Sequence, residues 1–144
     1  MANSDAVSTP PGWFRPVAVV ALLWNLLGCL AYLSDVTMKP EDIAKLTQAE
    51  QALMASRPAW SIGATAIAVW FGAAGCVGLI LRKRWATWLL IASFVGVLLQ
   101  DLWFLSHAFS MTSPVAIVLQ GVVLVVSIAL VYLARAGSAR GWLR

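Results

Sequence analysis

Residues 60–81 read WSIGATAIAVWFGAAGCVGLIL, twenty-two residues without one charge, and the next three are Arg82, Lys83 and Arg84. At about 1.5 Å per residue a helix of this length crosses about 30 Å of hydrocarbon, where only a helix satisfies its own backbone. A basic triplet after such a run is what ends a span at a membrane surface. The stretch reads as a transmembrane helix.

Three further runs of the same kind flank it: Pro16 to Leu33, Ala86 to Phe109, and Pro114 to Leu133. Pro16, Pro58 and Pro114 stand at helix entrances, where a missing amide proton costs nothing because the first turn has no intrahelical acceptor for it. The composition agrees. Hydrophobic residues make up 61% and charged ones 11% of the 144 residues, with a mean hydropathy of +0.85, against about 45–50% apolar and about 25% charged in soluble domains. The expected fold is all-α, an integral membrane four-helix bundle of two helical hairpins in a single membrane domain, 1–144. Its parts are spans at 16–33, 60–81, 86–109 and 114–133, an outer loop at 34–57 and a cytoplasmic tail at 134–144.

Charge sets the orientation. Arg15, Arg82, Lys83, Arg84, Arg135, Arg140 and Arg144 fall on one side, with Asp5 as the only acid there. Lys39, Lys45 and Arg57 fall on the other, against Asp35, Glu41, Asp42 and Glu50. The positive-inside rule then puts both termini in the cytoplasm of an inner (plasma) membrane protein. The net charge of +4 is thus topological and implies no nucleic acid. Trp13, Trp60, Trp85, Trp103 and Trp142 lie near the expected interfaces. Residues 1–12 lack the positive start of a signal peptide, and Ala2 stands where myristoylation needs glycine, so the helices alone are expected to hold the chain in the membrane. Cys29 and Cys76 both lie inside apolar runs and make neither a disulfide framework nor a metal motif.

The outer loop is too long for a turn. Within Pro40 to Met54, Ile43, Leu46, Leu53 and Met54 recur at roughly helical spacing, and Pro40-Glu41-Asp42 suits a helix start. One short amphipathic helix lying on the outer face is expected, as a lid on the bundle or as a gating or partner-binding element. A weak internal repeat relates Trp13 to Trp85, Tyr32-Leu33-Ser34 to Phe104-Leu105-Ser106, and Ser56-Arg57-Pro58 to Thr112-Ser113-Pro114. It suggests two parallel hairpin repeats, an arrangement found among transporters.

The second span carries Ala64, Ala68, Gly72 and Cys76 at intervals of four, a small-residue stripe that lets helix backbones approach closely. It packs either within the chain or against a second copy. Asp101 is the only acid inside the hydrocarbon, where an unpaired charge costs ~3 kcal/mol on insertion scales. Counting along the helices places Asp101 and Gln100 near the level of Gln120 and Thr65, with Asn25 about one turn deeper. These five residues form a candidate polar layer. They bind a polar solute or ion in an outward-facing cavity, or Asp101 is an interhelical hydrogen-bond clip to Gln120 or Asn25. His107 is a lone histidine at the outer interface and a poor metal site. Neither catalytic residues nor a cofactor are implied.

The four short helices, the Trp24-Asn25 pair, the extended first outer loop and Arg82-Lys83-Arg84-Trp85 between the hairpins resemble small bacterial inner-membrane proteins labelled DoxX-like or sugar-transporter. The resemblance covers the layout from Trp13 to Leu133 and implies a bacterial inner membrane. Two functions follow as expectations: a small carrier or channel for a polar solute or ion, acting as a homo-oligomer, or a non-catalytic accessory subunit of a larger membrane complex. The lipid bilayer is the expected surrounding in both.

Overall fold

In lipid each helix must close its own hydrogen bonds, and the computed structural model, which describes residues 8–144, is built accordingly. Four long helices carry the apolar runs: α1 (Phe14–Val36), α4 (Ala59–Ile80), α5 (Trp85–Trp103) and α6 (Pro114–Ala139). Each is long and apolar enough to cross a membrane, so the protein is an all-α, multi-pass membrane protein. Two short helices, α2 (Pro40–Ile43) and α3 (Gln48–Ser56), occupy the loop between α1 and α4. The loop end of the bundle holds α2 and α3; the terminal end holds Ser8, Arg144 and the Arg82–Arg84 turn. Asp5 lies outside the described residues, as do Met1 and Ala2.

The centre is the α4–α5 pair, with α1 on α4 and α6 on α5. Gly96 of α5 lets this pair close: a Cβ there would stand 2.7 Å from the Ala64 carbonyl and 2.9 Å from the Ala68 amide. At Gly75 a Cβ would meet Leu90, and at Gly78 it would meet Ala86 and Trp85. Ala64, Ala68, Gly72 and Cys76 are all buried. The stripe thus packs inside this chain, on α5 and α1. α1 and α6 sit on opposite flanks and leave a cleft between them.

Three boundaries differ from expectation. The outer loop carries two helices, not one, because Thr47 is extended and begins α3 with a capping box: its hydroxyl accepts from the Glu50 amide while the Glu50 carboxylate accepts from the Thr47 amide. The helical segment that starts with α5 changes winding after Trp103, with a π turn over Phe104–Ala108 and a 3₁₀ turn over Phe109–Met111. α6 runs through Ala139, past the apolar run that ends at Leu133, because Ala134 and Gly137 are buried.

The tail expected at 134–144 begins as the last turns of α6 and ends in a plug. Gly141, at φ 70°, reverses the chain and buries Trp142 and Leu143 against Phe14. Arg84 donates its amide to the Arg144 carbonyl (2.8 Å), and the Arg144 amide donates to the Arg82 carbonyl (2.6 Å). Arg82 adopts φ 59°, a strained conformation for a non-glycine residue. Its guanidinium donates to the Trp142 carbonyl (2.9 Å) and the Ser8 carbonyl (3.4 Å), which ties both termini to one turn.

Candidate functional site

Helical rise decides which residues share a level, and the direction of each side chain decides which of them meet. At the loop end, Gln120 of α6 donates through Nε2 to the Asp101 carboxylate. Gln100 donates to the Gln120 Oε1 at 3.4 Å. α5 thus presents two consecutive polar residues to one glutamine of α6, and the acid is used as a hydrogen-bond acceptor between helices. Asp101 is partly exposed.

The other side of Gln100 faces a cavity of about 200 Å³ between α4 and α5, roofed by Leu53 of α3. Arg57, Ser61, Thr65, Trp103 and Phe104 complete its lining. Thr65 donates to the Ser61 carbonyl one turn back at 3.0 Å, so its oxygen keeps a lone pair. Arg57 lies in the short link between α3 and α4. Through Nη1 it donates to Asp35, at the end of α1, at 2.6 Å, which uses one of the five N–H groups of a guanidinium. Trp103 is buried and stacks at 5.9 Å on His107 in the π turn. The Ser106 hydroxyl lies 2.7 Å from His107 Nδ1, which holds the ring at the rim.

Four of the five residues expected in the polar layer therefore gather here: Gln100 and Thr65 line the cavity, and Gln120 and Asp101 continue from Gln100. Asn25 does not join them. It lies deeper, donating to the Ala21 carbonyl at 2.8 Å and to Cys76 Sγ at 3.6 Å, and it lines the cleft between α1 and α6. The reason is orientation: Asn25 faces Gly72, where a Cβ would collide with its Oδ1.

Sequence reading passed over Arg57 and Ser61 as cavity residues because they lie in a link and at a helix start. One signal was available: Asp35 and Arg57, opposite charges, stand at the two ends of the outer loop and so near the same membrane level. Among the described residues no three His, Cys, Asp or Glu side chains converge on a point where a metal ion would sit. No family model matches the chain, and neither a curated protein nor a solved structure is similar to it at a significant level.

Proposed function

We infer that the protein binds a small polar solute at its loop end, as the outward-facing step of a small carrier. The observation that carries this reading is the convergence of Arg57, Thr65 and Gln100 from three segments on one cavity beneath α3. At about 200 Å³ the cavity is below the ~300–1,000 Å³ of pockets for drug-sized ligands, so the solute is small. A guanidinium with N–H groups to spare favours a carboxylate or similar planar anion, which it can hold through two parallel bonds. Gln100 and Thr65 then take the remaining hydroxyl or carbonyl groups of the solute. Asp101 acts as the anchor that orients Gln120 and, through it, Gln100.

Towards the terminal end the helices pack into a buried core that includes Leu79 and Leu90, so passage would need a second arrangement of the helices. Seven basic residues at the terminal end and the acidic loop opposite support cytoplasmic termini in an inner membrane. That placement agrees with the resemblance to DoxX-like layouts.

An accessory role in a larger membrane complex is the second reading. It is favoured by α1 and α6, whose most apolar windows are only 17% and 11% buried, so most of their surface is free for lipid or partner helices. Calorimetric titration of the full chain in nanodiscs with L-lactate, and with glycerol as the uncharged comparison, separates the two. Solute capture predicts saturable lactate binding that Arg57→Gln weakens at least tenfold. Absence of binding for both compounds favours the accessory role.

A further inference from the structure

A second cavity, larger than the one at the loop end, lies away from that site. It is the cleft between α1 and α6, about 370 Å³, floored by Ala68 of α4 and by Leu90, Ser93 and Val97 of α5. Its α6 wall runs from Leu119 to Leu130, about 16 Å at ~1.5 Å per residue. Spread over that length, with the radius of a water added at each wall because the volume is that open to water centres, it gives a channel roughly 8 Å across, whereas a helix with its side chains needs about 10–12 Å. A partner helix does not fit inside it. One hydrocarbon chain does, since carbons in contact lie about 3.5–4.0 Å apart.

Lipid tails are as apolar as the leucines and valines of the walls, so apolar contact alone selects nothing from a bilayer. Selection must come from the polar atoms, and these are of a particular kind. The Asn25 amide nitrogen is committed to the Ala21 carbonyl and Cys76, which fixes the flip of the side chain and leaves Oδ1 as an acceptor only. No donor among the described residues reaches that oxygen. Ser93 donates to the Ala68 carbonyl (2.6 Å) and Ser127 to the Leu124 carbonyl (2.7 Å), so each offers only lone pairs to the cleft. Asn25 Oδ1 and Ser93 Oγ both lie close to Gly72, where an added Cβ would meet both. Trp24, also in the lining, brings an indole N–H that no acceptor among the described residues takes.

We propose that this cleft is a binding site for a single-chain lipid alcohol, an isoprenoid or long-chain alcohol that enters sideways from the bilayer. The chain fills the space between α1 and α6, and the hydroxyl donates to Asn25 Oδ1 or Ser93 Oγ at the level of Gly72. A hydroxyl fits this set because it can donate to the Asn25 or Ser93 oxygen and also accept from a donor such as the Trp24 N–H, whereas a carbonyl or an ether oxygen can only accept. The site is independent of the solute cavity, with which it shares no lining residue.

Trp24 supplies the readout. Bromine quenches indole fluorescence at short range, and Trp24 adjoins Asn25, so the full chain in nanodiscs is titrated with 2,3-dibromododecan-1-ol and, in parallel, with 2,3-dibromododecane, which lacks the hydroxyl. The alcohol is expected to give a saturable quenching component that Trp24→Phe removes, and the hydrocarbon only a linear one. Ser93→Ala together with Ser127→Ala, small changes that leave the helices intact, should weaken the saturable component about threefold to twentyfold, the range of one or two membrane hydrogen bonds. Val123→Trp, which fills the cleft from α6, should abolish it. Gln100→Ala, at the loop-end cavity, should leave it unchanged, so the two sites fail separately. Linear quenching by the alcohol overturns the proposal. So does equal saturable quenching by the hydrocarbon, or a dimer of the chain that excludes the alcohol.

Discussion

Asp101 and Gln120 face each other across α5 and α6, and their contact uses the carboxylate as an acceptor. An amide in its place would keep the accepting oxygen. Asp101→Asn is therefore expected to change stability little, whereas Gln120→Leu deprives both Asp101 and Gln100 of a partner and should cost about 1–2 kcal/mol; unfolding titrations in mixed micelles with increasing SDS measure both. Arg57 is the counterpart at the cavity, where Asp35 competes with any bound anion for its N–H groups. Asp35→Asn should accordingly raise lactate affinity while Arg57→Gln lowers it, an opposition that calorimetry resolves. Legibility at this scale was partial for a geometric reason. Rise per residue is constant in a helix, so the common level of Gln100, Asp101, Gln120 and Thr65 could be counted from the sequence. Azimuth depends on the neighbouring helix, so Asn25's turn toward Gly72 and Cys76 could not.

Helix contacts in lipid depend on how closely backbones approach, and the glycines differ sharply in what surrounds them. A Cβ at Gly96 would press on α4 backbone atoms that cannot turn away, whereas one at Gly63 would meet nothing within 4 Å. Gly96→Ala should destabilise the fold by about 1–3 kcal/mol, while Gly63→Ala should be neutral or stabilising by up to about 1 kcal/mol through helix propensity. The same SDS titration compares them. At α3 the Thr47 amide and hydroxyl hold the Glu50 carboxyl below its usual range. Its contribution is thus complete above that range and lost as pH falls through it, near 4.3 and below. ¹³Cα chemical shifts of residues 48–53 should move toward coil on acidification, and Glu50→Gln should make them insensitive to pH. The four long helices were legible because each apolar run exceeds what a soluble fold needs. The break at Thr47 was not, because the spacing of Ile43, Leu46 and Leu53 passes through it, and it is the extended backbone of Thr47 that separates the two helices.

Over the whole molecule the two ends of the bundle differ in design. The terminal end is sealed by Phe14, Trp142 and Leu143, and the loop end keeps a cavity under α3 that Arg57, Thr65 and Gln100 line. Trp142, expected near an interface, and Leu143 are core, buried to 6% and 3% exposure, which a short segment between arginines hides. Removal of residues 142–144 should therefore cost about 3 kcal/mol or more, the order of losing a large buried side chain, and should lower the thermal midpoint of the purified protein. The central claim, that the loop-end cavity admits a small anionic solute, is tested most directly by thiol modification of Thr65→Cys from the loop side in sealed vesicles. The unmodified chain, whose Cys29 and Cys76 are buried, serves as the blank. Arg57 should make a negatively charged methanethiosulfonate react faster than a positively charged one, and lactate should slow the reaction. A Thr65→Cys thiol that stays inert to both reagents, or that reacts at a rate lactate does not alter, would contradict the account.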